Sequence, residues 1–164
     1  MPTTITPAVE TVVNTGSQDL FTITTVNNTN GTAGVPQYNT MASPQTVTYS
    51  AITANVGNAI TANTTTGVFN LSANVANIAY QLNGFVTVTS TPARYGWINT
   101  ATGAAIGPQV TAGTPLSTTF IKVSSNAANV ALQVTTSSGE AFAYPTQIQG
   151  AAATVSELSG YTVA

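Results

Sequence analysis

The chain has 164 residues, and only Glu10, Asp19, Arg94, Lys122, Glu140 and Glu157 carry charge, 4% of the total against about a quarter in ordinary globular proteins. Two basic side chains cannot neutralise a run of phosphates or hold an anionic membrane surface, which excludes nucleic acid and charged membrane as partners. With no histidine and no cysteine, the commonest general base, thiolate ligands and disulfides are also excluded.

Polarity comes instead from 32 threonines with many Asn and Ser, on a chain that is 43% hydrophobic. Thr, Val and Ile are stiff at χ1 and favour strands, and the hydrophobicity is too high for a disordered segment. The composition predicts one folded, β-rich domain with an arm. So few charges give a free monomer little protection from self-association, and burying the surface in a stable assembly relieves this.

Residues 1–18 hold Pro2 and Pro7 and a short apolar run at 9–13, with Ile5, Val9, Val12 and Val13 as anchors. Proline cannot donate to a ladder, so the segment reads as an extended arm or edge strand. Its apolar content is too small to offset ordering costs of about 1–2 kcal/mol per residue. It is expected to order against a partner by adding a strand to a sheet edge, the alternative being that Val9–Val13 forms the outer strand of its own sheet. Residues 20–26, LFTITTV, read as a strand, and 27–45, with Asn30-Gly31, Gly34, Pro36 and Pro44, as a long joint. The expected division is therefore an arm and linking loop over 1–45 and a main domain over 46–164.

In the main domain, residues 46–53 alternate, with Val47, Tyr49 and Ala51 on one face. Residues 59–62 are a weaker strand candidate. The stretch 67–107 organises the rest, with the sole tryptophan, Trp97, and strand-like runs at 68–72, 78–82, 85–89 and 95–99. Asn83-Gly84 predicts a two-residue hairpin between the second and third of these. Residues 118–123 and 128–135 read as a further pair around a turn at 124–127, and 141–144 and 153–158 close the set. Short strands every 8–12 residues predict an all-β sandwich or barrel.

No catalytic constellation emerges. The four carboxylates are scattered at 10, 19, 140 and 157, so a glycosidase-like pair has nothing to mark it, and no acidic cluster suits Ca²⁺. The expectation is a protein without enzymatic activity, cofactor or metal. Lys122 reads as the outward member of an alternating strand or an edge guard rather than a reactive lysine. Arg94 has the option of stacking on an aromatic face. Tyr80, Tyr95 and Trp97 read as core aromatics ahead of a sugar-binding platform. The four Asn-x-Ser/Thr sequons, at Asn27, Asn30, Asn63 and Asn70, follow from composition. No signal-like segment opens the chain after Met1-Pro2, and no apolar run approaches the ~20 residues that span a membrane.

The run VFNLSANVANIAYQL followed by RYGWINTATGAAIG resembles the C-terminal jelly-roll modules of phage structural proteins. The matching residues are Leu71, Ala73, Tyr80, Leu82, Tyr95, Trp97, Asn99, Thr102, Gly103, Ile106 and Gly107. VALQV from Val130 and the ending SELSGYTV are similar to the last strands of C1q- and TNF-like jelly rolls. The resemblance covers about residues 46–164 and implies an antiparallel β-sandwich with an extended N-terminal arm. It further implies a homotrimeric virion protein without chemistry of its own: a capsid decoration (cement) protein on the outer surface of a major capsid protein shell, made in the host cytoplasm. The alternative is a head-fibre or tail receptor-binding module recognising a host glycan or protein. On this reading Ile5, Val9, Val12 and Val13 form a capsid-anchoring arm, and Tyr80, Tyr95, Trp97, Phe120 and Phe142 serve the trimer interface or the core.

Overall fold

A computed structural model describes residues 20–26, 28–29, 32–33, 43–49, 51–72, 78–89, 93–113, 117–123, 127–136 and 148–162, and all regular structure among them is strand. Five strands form one sheet: β1 (Leu20–Val26), β5 (Ala51–Val56), β8 (Ile78–Val88), β11 (Ser117–Val123) and β13 (Ile148–Thr162), in the order β11-β8-β13-β1-β5. The second sheet runs β10-β9-β12-β7-β6 through β6 (Ile60–Asn63), β7 (Val68–Leu71), β9 (Ala93–Asn99), β10 (Ala105–Thr111) and β12 (Ala128–Thr136). β4 (Gln45–Thr46) also pairs with β12, and β2 (Asn28–Thr29) with β3 (Thr32–Ala33) makes a small separate ladder. Every pairing is antiparallel.

Period-two alternation decides what lies between the sheets. Val130, Leu132 and Val134 of β12, Tyr95 and Trp97 of β9, and Phe69 and Leu71 of β7 enter the core from the second sheet. Tyr80, Leu82 and Val86 of β8 and Ala151, Ala153 and Val155 of β13 enter from the first. Burying a large side chain of this kind stabilises by about 1.5–3 kcal/mol. Tyr49, Phe69 and Trp97 stack edge to face, with ring centroids 5.9 Å and 5.7 Å apart in succession. Their quadrupoles favour that arrangement.

Four expectations are corrected. Asn83-Gly84 is no hairpin: β8 runs straight through it for 11 residues. A Cβ on Gly84 would lie 2.5 Å from Leu132 Cδ1, so this glycine admits a side chain from the facing sheet rather than turning the chain. Asn83 is held in the strand as its Oδ1 accepts from Thr118 Oγ1 at 2.8 Å. Residues 46–53 are not one strand either. Val47 and Tyr49 are buried as their alternation predicts, but the chain leaves β12 after β4 and joins the other sheet at β5.

Residues 117–136 do not form a hairpin, because β11 pairs with β8 and β12 with β7 and β9 in the opposite sheet. Finally, the division at residue 45 fails for 20–26: β1 lies inside the five-stranded sheet, between β13 and β5. Its strand character was legible, whereas its partners are more than 25 residues away in sequence. The expected strand at 141–144 lies outside the described residues.

Two glycines separate backbone strain from clash. Gly103 has φ +71° with open space where a Cβ would stand, while Gly67 has φ +72° and its Cβ would overlap the Val47 carbonyl oxygen. Gly103→Ala is expected to cost about 1–2 kcal/mol, the left-handed penalty alone. Gly67→Ala should cost about 3 kcal/mol or more, because overpacking against backbone adds to that penalty. Urea unfolding of both variants measures the difference, and equal losses would contradict it.

Candidate self-association surface

The outward face of the five-stranded sheet is built by register. Phe120 of β11 is level with Gln81 of β8, which is level with Ser156 of β13. Next to that row, Thr118, Asn83 and Thr154 stand side by side. Phe85 and Ala152 form a third row, and exposed Lys122 is level with Ala79, which is itself covered. Asn83 Oδ1 accepts from Thr118 Oγ1 and, at 3.4 Å, from Gln81 Nε2, which ties β8 to its edge strand. Phe120 is 58% exposed, the largest exposure of a large apolar side chain among the described residues. Away from Lys122, this face of Ala, Ser, Thr and carboxamides with a projecting phenylalanine can pack against protein without burying unpaired charge.

The expected site residues fall in three groups. Tyr80, Tyr95 and Trp97 are fully buried between the sheets, so their rings line the core and leave no platform for a sugar. Phe120 is on the surface. Phe142 and the arm anchors Ile5, Val9, Val12 and Val13 lie outside the described residues, as do Glu10, Asp19 and Glu140. Glu157 is half-buried and level with Tyr80. Lys122 is exposed on β11, an edge strand, where a lysine discourages pairing. Arg94 projects from the opposite face of β9 to Tyr95 and Trp97 and so does not stack on them. Among the described residues no group of three or more His, Cys, Asp or Glu is placed to hold a metal.

One side of the sandwich is closed by contacts the sequence did not announce. Ser117 is fully buried, and its Oγ donates to the Pro108 carbonyl at 3.4 Å. Gly107, with φ +74°, comes so close to Thr119 that a Cβ would overlap its Oγ1. The edge strands β10 and β11, from different sheets, are thereby pinned together. Gly103 and Gly107 both have positive φ. The signal was the Gly-Pro dipeptide at 107–108, a bulge former within a strand pattern.

Burial raises the Tyr95 phenol above its ordinary value, while contacts to the backbone of Ser117 and Val86 act in the opposite sense. The folded state therefore holds this proton more tightly than the unfolded chain. Its contribution is intact below the unfolded pKa of about 10 and falls as pH rises beyond it. Alkaline titration of stability should show a decline starting near that pH, and Tyr95→Phe should flatten it. Trp97, the chain's sole tryptophan, is fully buried, with no hydrogen-bond partner for its Nε1 among the described residues. Its emission should be blue-shifted and poorly quenched by acrylamide until the protein unfolds.

No protein-family model and no curated protein sequence matches the chain. Among solved structures, it is similar to the globular domain of zebrafish complement 1qA protein, with a TM-score of 0.50 at 12% identity. That likeness covers 90% of this chain and 100% of the other. At such identity it establishes architecture alone: the protein is an antiparallel jelly-roll β-sandwich.

Proposed function

We propose that the protein is a structural virion component, a phage capsid decoration protein that sits as a homotrimer on the outside of a major capsid protein shell and stabilises it. The observation that carries the self-association is the outer face of the five-stranded sheet, charge-poor, small in side chain and marked by exposed Phe120. The jelly-roll fold is compatible with it, and the phage assignment comes from the sequence resemblance over residues 71–107. Three modest contacts presented together on a shell add through effective concentration, so each need not be strong. No enzymatic step and no cofactor enter this reading. Host recognition through exposed Trp97 or Tyr95 has no support, since both rings are covered.

Light scattering at micromolar concentration should give three times the 16.6 kDa chain mass. Phe120→Asp should weaken association by roughly tenfold or more, since it places a charge in the contact. A stable wild-type monomer would remove the trimer. Adding purified protein to undecorated capsids should raise their disruption temperature, and absence of binding would remove the decoration role.

A further inference from the structure

Among the described residues the exposed large apolar side chains are Ile52, Val56 and Phe120. Register places two of them at opposite ends of one row. Phe120 of β11 is level with Gln81 of β8, Gln81 with Ser156 of β13, Ser156 with Leu20 of β1, and Leu20 with Val56 of β5. Residues directly opposite in a ladder share a face, so Val56 stands on the same outward face as Phe120. The bulge in β5 falls short of this row: Leu20, Phe21 and Thr22 stay level with Val56, Asn55 and Ala54. Phe120 is 58% and Val56 47% exposed, whereas Gln81 and Ser156 between them are half-buried and uncharged. The row has an apolar group at each edge of the sheet and a hydrogen-bonding middle.

From this arrangement we infer that Phe120 of one copy packs against Val56 of the next, a heterologous contact repeated three times around an axis that the outward faces line. The inference rests on the trimer of the reading above and names its contact. Four inter-strand spacings of about 4.8 Å make the row about 19 Å wide. Three such rows set as the sides of a triangle lie about 5.5 Å from the axis, close to half of the ~10 Å at which stacked sheets pack. Four rows would lie about 10 Å from it and enclose an unfilled channel.

At each corner of the triangle the β11 edge of one copy meets the β5 edge of its neighbour. That brings the two apolar ends together and lets the ring close. Covering two large side chains that the single chain leaves exposed favours the contact, and no charge within the row has to be desolvated. Lys122, two residues beyond Phe120, discourages strand pairing at the corner, so the contact is made by side chains.

The chain has no cysteine, so introduced thiols are the only ones. Positions 56 and 120 are about 19 Å apart within one chain, far beyond the roughly 7 Å that a disulfide can bridge, so a bond between them joins two copies. The full-length Val56→Cys/Phe120→Cys variant, oxidised mildly and run without reductant, is expected to give a covalent trimer. Its linked fraction should be roughly tenfold that of either single variant. A linked dimer as the end product, or linking by Phe120→Cys alone as efficient as by the pair, would overturn the inference. A second measurement needs no disulfide. Phe120→Ala and Val56→Ala should each weaken association, and the double variant should fall roughly threefold or more short of the product of the two losses, because both remove one contact. Losses that simply multiply would overturn it too. A wild-type monomer by light scattering would remove the trimer itself, whereas a wild-type trimer whose double-cysteine variant stays unlinked would remove only this contact.

Discussion

The two sheets hold together because one presents bulk and the other makes room for it. Phe69, Tyr95, Trp97 and Leu132 project from the second sheet, while Gly84, Ala151 and Ala153 face them from β8 and β13. Leu132 reaches so far that only a glycine fits opposite. This complementarity fixes sheet separation and register together, since a one-residue slip of β8 would replace Gly84 with Asn83 or Phe85 against the leucine. The straight run of β8, the buried aromatic chain and the placement of β13 at the sheet centre all follow from it.

A core so apolar leaves the polar residues to the outside, and there the chain supplies hydroxyls and carboxamides in place of charge. Asn70 Nδ2 donates to Asn129 Oδ1 at 2.7 Å across β7 and β12, and Asn99 Oδ1 accepts from Ala101 and Thr102 to shape the β9–β10 turn. Such groups satisfy one another on a flat surface and can be covered by protein at little desolvation cost, as ion pairs cannot. The surface chemistry and the capacity for assembly share this physical origin.

The edges complete the picture. On one side, Gly107 against Thr119 and Ser117 on the Pro108 carbonyl join β10 to β11 and leave a lysine and a proline outermost. On the other, the chain crosses from β5 to β6 through a corner at Gly57, with φ +83°, and β5 carries a bulge between Ile52 and Ala54.

Composition and alternation alone determined the fold class and which side of most strands is buried. Val130, Leu132, Val134, Tyr80, Leu82 and Trp97 are all found where period two puts them, because burial free energy acts locally on each side chain. The likeness of residues 71–107 to jelly rolls anticipated the architecture. Strand partnership was beyond that reach. Whether Asn83-Gly84 turns, whether residues 46–53 stay in one sheet, and whether β1 belongs to an arm or to the five-stranded sheet depend on residues far away along the chain. Turn propensity is worth little against the packing of a whole sheet, so Leu132 overruled the Asn-Gly signal, and only the tertiary structure could decide it.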